Sequence, residues 1–92
     1  MTPKEAVDFA KQNNAQVIDL KFMDLSNHDF TNADLTNADL RFTVIENTSF
    51  EGAKLTNVEF SRSQMENVNF SNTDLRNAKF FGSKMDYVKF DN

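Results

Sequence analysis

The sequence predicts an all-β solenoid, a parallel β-helix of square cross-section with a short helical cap, and three observations carry that prediction. First, from Ile18 onward every fifth residue is large and apolar: Leu20, Leu25, Phe30, Leu35, Leu40, Ile45, Phe50, Leu55, Phe60, Met65, Phe70, Leu75, Phe80, Met85 and Phe90, a register that takes all six leucines. A period of five suits neither ordinary element, since five residues on a helix advance about 140° beyond a full turn and an odd step on a straight strand changes face. The chain must turn once per repeat, each unit burying its apolar side chain against its neighbours. Second, like stacks on like at a spacing of twenty. The columns Leu20-Leu40-Phe60-Phe80, Leu25-Ile45-Met65-Met85, Phe30-Phe50-Phe70-Phe90 and Leu35-Leu55-Leu75 hold eight identical vertical neighbours out of eleven, against three of twelve at a spacing of fifteen, and identical side chains pack well in ladders. Four repeats then make one coil and the fifteen repeats three and three-quarter coils, about 18 Å tall at about 4.8 Å per coil. Third, the position two after each core residue is filled by Asn27, Asn32, Asn37, Asn47, Asn57, Asn67, Asn72, Asn77 and Asn92 with Gly52 and Gly82, types that tolerate positive φ and hydrogen-bond their own turn.

In chain order, residues 1–17 form the N-terminal helical cap and 18–92 the β-helix, one domain overall. Over 2–13 the sequence reads as a short helix: Thr2 as N-cap, Pro3 where its missing N–H costs nothing, Glu5 completing a capping box, and Asn13 and Asn14 ending it. Ala6, Phe9 and Ala10 share one face. Because a first coil exposes core side chains and unpaired backbone, the helix is expected to lid that end rather than to fill a partner's groove. Inside the β-helix, the position two before each core residue is small (Ala33, Ala38, Thr43, Thr48, Ala53, Ser63, Thr73, Ala78, Ser83) or β-branched (Ile18, Val58, Val68, Val88), because a narrow interior has little spare volume. Met23 and His28 are the exceptions.

Ala-Asp-Leu-Thr-Asn at 33–37 and Ala-Asp-Leu-Arg-Phe at 38–42 state the repeat most purely, and through this pattern the chain resembles the pentapeptide-repeat family. The resemblance implies a right-handed quadrilateral β-helix, which adds handedness to the coil count. It implies little about activity; the best understood members look like DNA and bind type II topoisomerases such as DNA gyrase. Residues 3–25, through Val-Ile-Asp-Leu-Lys-Phe-Met-Asp-Leu, also look weakly like the opening of glutamine synthetases, but that stretch holds no catalytic motif and no activity is carried over from it.

Ninety-two residues, 39% apolar and 26% charged, fit one soluble globular domain with no second domain to hold a substrate. The absence of cysteine excludes disulfides and thiolate metal sites, and no long apolar run or basic leader marks an anchor or signal peptide; a cytoplasmic setting is expected, without membrane attachment. A net charge of −4 and a pI near 4.8 argue against direct nucleic-acid binding and favour basic partners. His28 is the only histidine, and its inward column continues with Thr48, Val68 and Val88, so it lacks the convergent partners that a zinc site or a nucleophile needs. It is expected to be hydrogen-bonded beneath the cap, its functional reading being a pH-sensitive element there. Gly52 and Gly82 alone cannot build a phosphate loop. No catalytic residue, metal ligand or cofactor is expected, and the chain does not read as an enzyme.

What remains is surface. The outward position before each core residue is acidic at Asp19, Asp24, Asp29, Asp34 and Asp39 and basic at Lys79, Lys84 and Lys89. Only residues twenty apart are neighbours, so the aspartates cannot converge on one ion as the oxygens of a calcium loop do. Asp19, Asp39 and Glu59 form a like-charged column, either solvated or an acidic docking stripe, while Asp34, Lys54 and Asp74 alternate in sign and should pair. Phe22 and Phe42 share a corner column above Arg62, with Val44 round the edge; this stripe is expected to pack under the N-terminal segment, or else to meet a partner. Phe80, Phe81, Met85, Tyr87 and Phe90 crowd the last coil, and with nothing in the sequence to cover them the chain is expected to form a homodimer through that end. Two function classes follow: a non-catalytic structural or protein-interaction module with an unidentified partner, and, as the alternative the resemblance implies, a DNA mimic that binds gyrase. The change from acidic to lysine-rich favours the first.

Overall fold

The computed structural model describes residues 2, 5, 8, 9, 12 and 18–91. From Ile18 the backbone pairs with itself in parallel at an offset of twenty residues. Bridges join Asp19 to Asp39, Asp39 to Glu59 and Glu59 to Lys79 on one side, and Asp34 to Lys54 and Lys54 to Asp74 on another. On a third, strands β1 (Val44–Ser49), β2 (Gln64–Asn69) and β3 (Lys84–Lys89) form a parallel sheet in the order β1-β2-β3, with Val44 opposite Gln64 and Gln64 opposite Lys84. The rungs are backbone hydrogen bonds: the N–H of Leu20 donates to Asp39 O at 2.8 Å, Leu35 to Lys54 O at 2.9 Å and Leu55 to Asp74 O at 2.8 Å. Parallel pairing therefore satisfies amides along the solenoid axis, and the side chains face inward or outward across it.

The turns explain the five-residue rhythm. In the repeats opening at Phe30, Leu35, Phe50 and Leu55, the N–H three residues on donates to the core residue's carbonyl, for example Ala33 to Phe30 at 3.0 Å and Ala53 to Phe50 at 2.9 Å. The residue two after each core position has positive φ, at every such corner from Phe22 (65°) to Tyr87 (55°). Positive φ at the third turn position alone is the signature of a type II turn, for which glycine and asparagine are favoured. Gly52 has a second reason: a Cβ there would sit on Asn32 Oδ1. In the repeats opening at Leu40 and Phe70 a small inward hydroxyl also bonds the core carbonyl, Thr43 Oγ1 donating to Leu40 O at 2.8 Å and Thr73 Oγ1 to Phe70 O at 2.7 Å. Inward threonine is thus a hydrogen-bonding residue as well as a small one.

The core lies on the predicted register. Leu20, Leu25, Phe30, Leu35, Leu40, Ile45, Phe50, Leu55, Phe60, Met65 and Phe70 are all buried, each fully buried phenylalanine contributing about 2–3 kcal/mol of hydrophobic free energy. Phe30, Phe50, Phe70 and Phe90 stack with near-parallel rings, centroids 5.0, 5.2 and 5.3 Å apart, Phe60 stacks on Phe80 at 5.1 Å, and the two columns meet edge to face, as Phe50 and Phe60 do at 6.0 Å. Both arrangements suit the ring quadrupole.

In the N-terminal segment, Glu5, Asp8, Phe9 and Gln12 have helical backbone, and Phe9 packs against the core. The capping box is present: Thr2 N–H donates to Glu5 Oε1 at 2.8 Å and Glu5 N–H to Thr2 Oγ1 at 3.1 Å. The rest of the helix expected over 2–13, with Pro3, Ala6 and Ala10, lies outside the described residues, as does the corner at Asn92.

Candidate functional site

The outward aspartates hold turns. Asp19, Asp24, Asp29, Asp34, Asp39 and Asp74 each accept, through Oδ1, the N–H two residues on, at 2.9 to 3.2 Å. Ser49 Oγ accepts the N–H of Glu51, and Asn69 Oδ1 that of Ser71, in the same way. This Asx-turn chemistry gives the position a structural role that the reading of its charges as solvated surface missed; the signal was there, since Asp, Asn and Ser all bond the backbone two residues on.

Two of these carboxylates also grip arginine. Arg41 donates to Asp39 through Nε at 2.9 Å and Nη2 at 2.7 Å, and Arg76 to Asp74 at 2.9 and 2.6 Å. The Arg76 guanidinium holds the Asp74 carboxyl down at about 2, and Arg41 lowers that of Asp39. Lys21 Nζ lies 3.9 Å from both Asp19 and Asp39. The Asp19-Asp39-Glu59 column exists as a line of bridged neighbours, but its first two charges are matched by Lys21 and Arg41. The pairing expected of Asp34, Lys54 and Asp74 does not form: among the described residues Lys54 has no ion pair, Asp34 binds Thr36 at its backbone N and Oγ1, and Asp74 binds Arg76. A bidentate guanidinium two residues away competes better than an ammonium on the next rung.

His28 is half-buried, with Nδ1 2.7 Å from Ser26 O. Among the described residues no group of three or more His, Cys, Asp or Glu could hold a metal ion. No helix among them is long and apolar enough to cross a membrane.

The apolar candidates stand in two places. Phe22 and Phe42 stack at 5.1 Å along one edge and are 72% and 44% exposed; the N-terminal segment expected to cover them lies largely outside the described residues, and Val44, beside them, is half-buried. Below, Arg62 lies over the Phe81 ring at 5.9 Å, and Phe81 is 75% exposed. In the last coil Phe80 and Met85 are half-buried, Phe90 is 43% exposed and Tyr87 87% exposed. Phe80 and Phe90 rest one ring face on Phe60 and Phe70, while the backbone N–H groups of Leu75, Phe80 and Phe90 meet no acceptor among the described residues.

A further column escaped the sequence reasoning. Glu46, Glu66 and Asp86 are opposed on β1, β2 and β3, all exposed and, among the described residues, without an ion pair. They border a shallow cavity of about 60 Å³ with Gln64, Met65 and Lys84. The spacing of twenty applied to the position after each core residue would have found it.

No curated protein matches the chain. Among solved structures, the crystal structure of the pentapeptide repeat protein Rfr23 from the cyanobacterium Cyanothece 51142 is similar at 22% identity and a TM-score of 0.41, over 86% of this chain and 68% of that one. The pentapeptide repeat region family matches residues 23–92, a span that takes in all but the first of the five-residue turns seen from Leu20 onward, and the chain belongs to the pentapeptide-repeat family.

Proposed function

We propose that the chain is a non-catalytic structural and protein-interaction module: a right-handed quadrilateral β-helix of about three and three-quarter coils at about 4.8 Å each, lidded by its N-terminal helix and self-associating through its last coil. The twenty-residue register and the left-handed corner at every described repeat support the coil, and the Thr2–Glu5 capping box with Phe9 against the core supports the lid. A cysteine-free domain of this kind needs no oxidising compartment, which fits the cytoplasm.

The observation that carries the function is the contrast between the two regions of the core. The core positions from Leu20 to Phe70 are buried, whereas Leu75, Phe80, Met85 and Val88 are only half-buried and, among the described residues, the backbone N–H groups of Leu75, Phe80 and Phe90 meet no acceptor. Two copies meeting end to end about a two-fold axis close both the apolar surface and the backbone edge, while head-to-tail stacking would grow a filament and is blocked by the lid. The two-fold reverses the partner, so strands at the junction run antiparallel, and Lys79, Lys84 and Lys89 lie among Asp86 and Asp91 so that opposite signs can pair across it. DNA mimicry is less well supported: three of the four columns of residues preceding the core positions end in lysine, and Asp39 and Asp74 already carry arginine.

Light scattering at micromolar concentration tests the reading. The chain should show twice its 10.6 kDa mass, and Phe90→Asp should return it towards the monomer. A wild-type mass of 10.6 kDa throughout contradicts self-association.

A further inference from the structure

The aromatic ridge and the unpaired acidic column flank one face of the solenoid. Crossing it in the strand direction, the corner Phe22-Phe42 is followed by Asp24, Val44, Gln64 and Lys84, then by Ser26, Glu46, Glu66 and Asp86. Phe42 and Glu46 are four positions apart, about 13 Å at about 3.3 Å per residue. The ridge is placed at a conformational cost. Ten of the fourteen left-handed corners are Asn or Gly, and Phe22 and Phe42 are two of the other four, at φ 65° and 60°, where a bulky side chain is disfavoured. Neither ring is buried in return, so the fold draws little from them beyond their mutual stacking.

We propose that this face binds an extended, basic peptide segment, with an apolar side chain on Phe22, Phe42 and Val44 and a lysine or arginine four residues further on over Glu46 and Glu66. The proposal rests on the interaction-module reading and names the surface and the partner class. Charge selects the partner: three carboxylates against one ammonium line the cavity, and that ammonium, Lys84, stands on the rung of Asp86 and not on those of Glu46 and Glu66, which are the carboxylates left for the cation. The carboxylates oppose one another on adjacent rungs, so a cation between them also relieves like-charge repulsion. Distance selects the conformation: residues four apart on an extended chain lie on one side and span about 13 Å, whereas a helix needs about nine residues for the same reach. A second copy fits badly, because a two-fold axis through this face sets carboxylates against carboxylates or against the phenylalanines.

Fluorescence anisotropy with the full chain tests it, using a labelled ten-residue peptide that carries two leucines near one end and two lysines four positions on. One control peptide replaces the leucines by serine, and the other replaces the lysines by glutamate. The leucine–lysine peptide should bind at least tenfold more tightly than either control, tenfold being about 1.4 kcal/mol. Phe42→Asn, which installs the commonest corner residue, should weaken binding at all salt concentrations, and Glu66→Gln should flatten its salt dependence. Equal binding of the serine peptide, or no binding of the leucine–lysine peptide, overturns the proposal. Light scattering on the same samples separates the two readings: a persisting dimer with no peptide binding removes only this proposal, whereas loss of both removes the module reading as well.

Discussion

Asp74 shows how one side chain in this fold serves both geometry and charge. Its Oδ1 accepts the Arg76 N–H at 3.2 Å, closing the turn, while both oxygens take the Arg76 guanidinium. The folded carboxyl titrates at about 2, below the roughly 3.9 of an unfolded aspartate. Its contribution is therefore present above pH ~4 and is lost as pH falls through ~2. Asp39, lowered by Arg41, acts in the same direction. Urea midpoints measured from pH 6 down to pH 2 should fall across that window, and Asp74→Asn should flatten part of the fall; an unchanged acid limb would show that the pair is not formed in solution. The charges at this position were legible in the sequence, since Asp19, Asp24, Asp29, Asp34 and Asp39 recur at one place in the repeat. Their turn-holding role was hidden because counting charge along columns overlooks a bond to the backbone two residues away.

At the scale of the repeat, the core and the corner carry very different loads. Phe50 is fully buried between Phe30 and Phe70 and meets Phe60 edge to face. Phe50→Ala should cost about 3–5 kcal/mol, because stacked neighbours on adjacent rungs cannot close around the cavity. Asn47 is exposed, donates to Asn27 Oδ1 at 3.3 Å and accepts from Asn67 at 2.8 Å; Asn47→Gly loses that amide ladder yet keeps an easy left-handed corner, so its cost should stay below about 1 kcal/mol. Equilibrium denaturation of the two variants checks the ranking, and a more damaging corner change would contradict the inward register. Apolar period and corner asparagines made both positions readable from sequence. The fate of Phe22 and Phe42 was not, because an aromatic residue at a corner is equally compatible with packing under a neighbouring segment and with exposure.

The whole molecule is small, with a radius of gyration of 11.4 Å and extents of 30 × 27 × 23 Å, and nearly every surface assignment in it depends on which residues share a rung. A coil of twenty puts Phe22 on Phe42, Glu46 on Glu66, and Phe80 over Phe60; a coil of fifteen would dissolve all three neighbourhoods. The coil size was legible in the identical vertical neighbours, whereas the neutralisation of Asp19 and Asp39 by Lys21 and Arg41 depends on side-chain conformations that no spacing reveals. The absence of native cysteine makes the register directly measurable. Gln64 and Lys84 are Cα partners on β2 and β3, and adjacent strands about 4.8 Å apart fall within the roughly 4.4–6.8 Å that a disulfide spans. The double variant Gln64→Cys/Lys84→Cys should form an intramolecular disulfide under mild oxidation, while Gln64→Cys/Lys79→Cys, fifteen apart, should remain reduced. Cross-linking at fifteen and not at twenty would contradict the coil on which the account is built.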